Sequence, residues 1–182
     1  MIHLKNSGHI PQRASQLLLD ARKLASGLDV TIRDMRISSM YLEYDVSIKK
    51  EHLDLLLKKL KPVGSLDHAK QVVDEVIGKE ESIQKGRYYF NNERFWECHE
   101  VLEGAWKKSS GKEKDLIQGL ILVAAAMVHY QKYENDICIS IFQRALEKIG
   151  ESTGLYHKID LDFVRKKVTE MIHSGMIDTF TI

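Results

Sequence analysis

The 182-residue chain is poor in cysteine, proline and aromatic residues: two, two and 8% respectively. Each scarcity excludes something. Cys98 and Cys138 sit inside helical patterns and form no C-x-x-C pair, which leaves neither a disulfide framework nor a zinc knuckle and fits a reducing, cytoplasmic compartment. Charge of one sign is also lacking. Lys+Arg 27 against Asp+Glu 26 leaves +1, so no overall field favours nucleic acid or an anionic membrane. The local clusters Lys58-Lys59-Leu60-Lys61 and Arg165-Lys166-Lys167 fall on amphipathic helices, where they read as solvated faces. The most apolar run, Leu116 to Tyr130, is interrupted by Gln118 and carries His129, so it reads as a buried helix and not a membrane span. Residues Met1 to Asn6 show no apolar core of a signal peptide. Gly-rich phosphate loops and Gly-x-Ser-x-Gly are missing, and Arg87-Tyr88-Tyr89 alone is a weak basis for RNA contact. No cofactor and no membrane contact are expected.

Two patterns divide what is present. Over residues 1–66, Ile2 and Leu4 alternate, Ala14, Leu17, Leu18, Ala21 and Leu24 recur at helical spacing, and Gly27 supplies a stop. Val30 and Ile32 open an extended run. Met40, Leu42, Tyr44, Val46 and Ile48 then alternate strictly with Tyr41, Glu43, Asp45, Ser47 and Lys49, the clearest strand in the chain. Leu53, Leu56, Leu57 and Leu60 form a helix ended by Pro62 and Gly64. The order β-α-β-β-α predicts a small sheet with helices on one face, a ferredoxin-like half. It needs a further strand, or a homodimer partner, at its edge; the segment after Val63 and the chain's end, Met176 to Ile182, are both candidates.

Residues 67–182 read as helical, beginning with Val72, Val73, Val76 and Ile77. Helices are predicted through Ile83 to Phe90, from about Arg94 to Lys108, from about Glu113 to Lys132 as the central element, from about Asp136 to Ile149, and through Leu161 to Met171 after an Asp160 cap. A shift of about forty residues places Gly86 on Ala126, Tyr89 on His129, Phe90 on Tyr130, Cys98 on Cys138, Leu102 on Phe142 and Ala105 on Ala145. This resembles tetratricopeptide helix pairs. The expected class is α+β, mainly α: the small N-terminal unit followed by a compact bundle of such pairs.

The chemistry-bearing stretch is Phe95-Trp96-Glu97-Cys98-His99-Glu100-Val101-Leu102-Glu103-Gly104-Ala105-Trp106. Phe95, His99, Leu102 and Trp106 share a face at helical spacing, which puts an imidazole in an apolar stripe. The repeat places His99 on Ile139 and so points it inward. Such a ring needs a partner, and Glu103, one turn on, and Gln118, on the following helix, could supply one. Cys98 and His99 are about 100° apart around the helix, which is no nucleophile–base pair. His-Glu-x-x-Glu lacks the second histidine of a zinc-protease motif. Glu170-Met171-Ile172-His173 falls on a solvated face, so no metal site is expected.

Phe90-Asn91, Phe95-Trp96-Glu97-Cys98-His99-Glu100, Glu103, Trp106, and then Gly111, Lys114 and Leu116-Ile117-Gln118-Gly119-Leu120-Ile121 resemble the family catalogued as domain of unknown function 309. Its pattern is an F/Y-x-E-A-H-E-x-L-E-x-x-W helix followed by a G-x-x-R-x-x-L-Q-G-L-I-Q helix. The likeness covers about residues 80 to 148. It implies a small all-helical domain and no assigned activity. The chain departs from the pattern at Cys98 for alanine, Lys114 for arginine, Leu122 for the second glutamine, and Glu134 for the glycine before Asn135.

Two functions remain open. In the first, the chain is a binding or scaffold module for a protein or small-molecule partner, with Trp106, Lys114, Gln118 and Asn135 as binding residues. In the second it is an acid–base enzyme using His99, Glu100 and Glu103.

Overall fold

The computed structural model describes residues 1–73 and 77–182. They fall into two units, Met1–Val73 with Gln131–Tyr133, and the remaining residues up to Ile182. In the first unit the elements run β1 (Ile2–Lys5), α1 (Ala14–Leu24), β2 (Val30–Ile37), β3 (Tyr41–Ile48), α2 (Leu53–Leu60) and β4 (Leu66–Ala69). The expected β-α-β-β-α order is present, and the segment after Val63 supplies the additional strand. The sheet order is β2-β3-β1-β4, with each neighbouring pair antiparallel. The chain's end forms no strand.

One face of this sheet is apolar because strand side chains alternate. Ile2, Leu4, Leu42 and Tyr44 point to it and pack with Ala14, Leu17 and Ala21 of α1 and Leu56 and Leu60 of α2. On β2 the parity changes. The register shift between Ile32 and Asp34 inserts one residue, so Ile32, Met35 and Ile37 all reach the same core.

The second unit is helical: α3 (Lys79–Asn91), α4 (Phe95–Lys107), α5 (Gly111–Tyr130), α6 (Asn135–Ile149) and α7 (Leu161–Ser174), with a two-residue β5–β6 hairpin (Leu155–Tyr156, Ile159–Asp160) ahead of α7. The Asp160 side chain accepts the Phe163 N–H at 3.0 Å and caps α7 as its sequence position implies. The forty-residue repeat extends to the backbone of the turns. Glu93 and Tyr133 both take positive φ, 55° and 64°. Arg94 N–H reaches Tyr89 O, and Glu134 N–H reaches His129 O, each at 2.9 Å. Cys98 and Cys138 are both fully buried. Small residues mark the close approaches: a Cβ on Gly86 would lie 2.6 Å from Leu102, and one on Gly119 would lie 2.6 Å from Ile149.

The helical reading begins too early. Ala69 belongs to β4, and Val72 and Val73 are exposed outside any helix, because an apolar run carries no period when two residues long. Val76 lies outside the described residues. No helix among the described residues is long and apolar enough to cross a membrane.

A three-way contact ties helix starts to the hairpin. Lys79 Nζ donates to both Glu113 carboxylate oxygens at 3.0 and 2.9 Å, and Tyr156 Oη donates to one of them at 3.0 Å. The lysine contact, aided by the tyrosine, holds the Glu113 carboxyl below the usual carboxylate range. The charged form is therefore favoured by folding. Its contribution is complete above the unfolded pKa and disappears as pH falls through the lowered folded one. Thermal melts from about pH 7 to pH 3 should show Glu113→Gln less stable than wild type at neutral pH, with the two curves converging in acid. A constant gap down to the lowest pH would contradict this assignment.

Candidate functional site

The residues of α4 separate into two faces. Phe95, Cys98, Leu102 and Ala105 are buried at the 3–4–3 spacing of a core stripe. His99 is one residue round from Cys98, so its ring stands at the margin of that stripe with 27% of the side chain exposed. Its repeat counterpart Ile139 is likewise half-buried. The inward-pointing imidazole of the sequence reading is thus a rim imidazole, and Trp106 is also half-buried.

Around this ring the structure gathers two of the three acids of α4. Nδ1 of His99 lies 3.2 Å from Glu100 Oε1, and Nε2 lies 3.8 Å from Glu103 Oε1. Glu103 is shared with Lys107 at 3.8 Å. Both carboxylates are open to solvent, which leaves these pairs weak. One turn further on, Lys114 Nζ of α5 sits 4.1 Å from the Trp106 ring centroid, a cation–π contact of about 0.5–1 kcal/mol at an exposed site. Gln118 is half-buried one turn beyond Lys114 and makes no hydrogen bond to His99. Asn135 opens α6, half-buried, with no hydrogen bond or ion pair to the His99 group. The seven residues therefore form a histidine–carboxylate group, a tryptophan–lysine pair, and two separate amides.

Neither cysteine is a nucleophile here. Burial pushes the Cys138 thiol up to about 12 and the Cys98 thiol further still, far from the lowered range of reactive thiols.

Two buried polar groups escaped the sequence reading. The first lies on α4 itself. Glu97 is buried, and its two carboxylate oxygens accept from Nε and one terminal guanidinium nitrogen of Arg94, three residues earlier. The Arg94 guanidinium also stacks 4.8 Å from the Tyr89 centroid. The i, i+3 opposite charges were a legible signal. The second lies on the polar face of the sheet, where His3, Arg36 and Glu43 are only 0%, 3% and 6% exposed. Register makes them neighbours: His3 pairs with Glu43 across β1–β3, and Arg36 pairs with Glu43 across β2–β3. His3 Nε2 lies 2.9 Å from Glu43 Oε2, and the Arg36 Nε–H donates to Glu43 Oε1. The His68 ring, opposite His3 on β4, stacks on it at 4.1 Å. No single strand pattern reveals this group, since it exists only once three strands are in register.

The model of the family described as Domain of unknown function (DUF309) matches residues 83–140, from within α3 into α6. The resemblance carried by the Phe90-Asn91 to Ile121 signature is shown over that segment. No curated protein matches the chain.

Proposed function

We propose that this chain, whose residues 83–140 match that family of helical domains, is a cytoplasmic binding or scaffold module that presents the α4–α5 surface to a protein partner. The observation that carries the reading is the openness of the histidine–carboxylate group. His99, Glu100 and Glu103 stand on an accessible helix face beside the Trp106–Lys114 pair. A partially exposed tryptophan flanked by charges of both signs is the kind of anchor and rim that recognition surfaces use. The free thiols fit a reducing compartment.

A second reading is favoured by one detail. Both ring nitrogens of His99 face carboxylate oxygens, which orients an imidazole for acid–base work on a small substrate.

Photocrosslinking from position 107 of the full chain, in the cells that make it, discriminates between them. A discrete macromolecular adduct that vanishes in Glu100→Lys/Glu103→Lys, with the fold retained by circular dichroism, is the expected result. Absence of any adduct, or one indifferent to the charge reversal, would overturn the binding reading. Loss of turnover of a small substrate in a folded His99→Ala chain would establish the enzymatic one.

A further inference from the structure

After α7 the chain turns at Gly175, whose φ of 68° is left-handed and whose N–H caps Met171 O at 2.9 Å. Residues 176–182 then run over the helical unit without forming helix or strand. Three of their side chains, Ile177, Phe180 and Ile182, pack against the helical core, while Met176, Asp178 and Thr181 face solvent. The Phe180 ring meets Phe90 edge-on at 5.2 Å and approaches Phe163 at 6.4 Å. At the far end, the Asn91 side-chain amide clamps one residue from both sides. Its Nδ2 donates to Ile182 O at 3.0 Å, and its Oδ1 accepts the Ile182 N–H at 2.7 Å.

This is how a peptide is read, not how a helix is extended. A side-chain amide that satisfies both the N–H and the C=O of one residue recognises extended backbone whatever the side chain, while an aromatic pocket supplies the selectivity. The anchorage rests on rings and on side-chain-to-backbone bonds: besides the Asn91 pair, Met171 Sδ accepts the Asp178 N–H at 3.5 Å, and Ser174 Oγ accepts the Met176 N–H at 3.2 Å and donates to Met176 O at 3.5 Å. Among the described residues no backbone ladder joins tail and bundle. Phe90 and Asn91 open the signature read in the sequence, and both are engaged by the tail.

We propose that the helical unit contains a binding site for an extended apolar peptide carrying phenylalanine two residues before the clamped position, and that Met176–Ile182 is its ligand, held in cis. The short connection through Gly175 keeps the segment at a high effective concentration, so a free copy of the same peptide competes poorly until the tethered one is weakened.

The probe is a labelled synthetic peptide with the sequence of Met176–Ile182, titrated into full-length chains. Phe180→Ser weakens the resident tail without shortening the chain, and this variant should bind the peptide saturably and at least tenfold more tightly than wild type does. Adding Asn91→Ala should weaken that binding at least about tenfold, the effect of losing two hydrogen bonds. A folded Phe180→Ser chain that does not bind, that binds no better than wild type, or that is indifferent to Asn91→Ala would overturn the proposal. Should Phe180→Ser fail to fold, amide exchange on wild type and Asn91→Ala decides. Protection of the Ile182 N–H should fall at least tenfold in Asn91→Ala while α4 and α5 keep theirs. Unchanged protection at Ile182, or uniform loss across the helices, would overturn it.

Discussion

Gly119→Ala should destabilise the helical unit by about 3 kcal/mol, at the upper part of the range for overpacking a close helix contact, and lower its melting temperature by roughly 12–15 °C. The reason is what the added methyl would meet. It would lie 2.6 Å from Ile149 Cγ1, 2.9 Å from Ile149 N and 3.2 Å from Ala145 O. Two of those three atoms belong to the backbone of α6, which yields only if the helix itself moves. Gly86→Ala makes an instructive comparison. There the three nearest atoms the methyl would meet all belong to the Leu102 side chain, at 2.6, 2.7 and 3.4 Å, which can change rotamer at a cost of about 1–2 kcal/mol. Tryptophan fluorescence reads both variants, since Trp96 and Trp106 lie on α4. Gly86→Ala proving the more damaging would refute the argument from backbone rigidity.

Arg36→Met should cost the sheet unit about 3–5 kcal/mol, the penalty for breaking a buried ion pair from one side. Glu43 is almost fully buried and takes the Arg36 Nε–H on one oxygen and the His3 ring on the other. Methionine preserves much of the arginine's volume but removes a charged donor, leaving a carboxylate with less compensation in a dry place. The double variant Arg36→Met/Glu43→Leu should recover a good part of the loss, because the uncompensated charge goes with it. Both tryptophans are in the helical unit, so amide exchange of β1–β3 is the measurement. Equal protection in wild type and Arg36→Met would show that the pair contributes nothing.

The contrast between these two sites bears on how much a sequence discloses. The start of α3 aside, helix termini were legible to within two or three residues, because capping and stop signals are local: Asp160 opens α7, Gly27 lies three residues beyond α1, and the forty-residue offset carries even the positive-φ turn residues Glu93 and Tyr133. The strand Tyr41–Ile48 was equally plain from its alternation. The neighbourhood of His99 was legible as far as its own helix reached, with Glu100 and Glu103 beside it. Its depth was not. A helix face is about 100° wide, and the sequence pattern does not say whether the stripe is centred on His99 or, as found, on Cys98 and Leu102. The His3–Arg36–Glu43 group was hidden for a different reason. Its members are separated by 33 and 7 positions along the chain, and only the bulge near Ile32 puts Arg36 on the polar face. A one-residue change of register would have turned each of them elsewhere.

The placement of β1 also sets the order in which the molecule assembles. It lies between β3 and β4, pairing Ile2 with Tyr44 on one side and with Ala69 on the other. Every hydrogen bond of that strand therefore waits for chain made much later, and the entropic cost of closing those long loops falls before any of their reward. The helices from α3 to α6 bring together residues mostly within one hairpin of each other. In refolding from denaturant, the tryptophan signal should accordingly recover in a fast phase and strand-amide protection in a slower one.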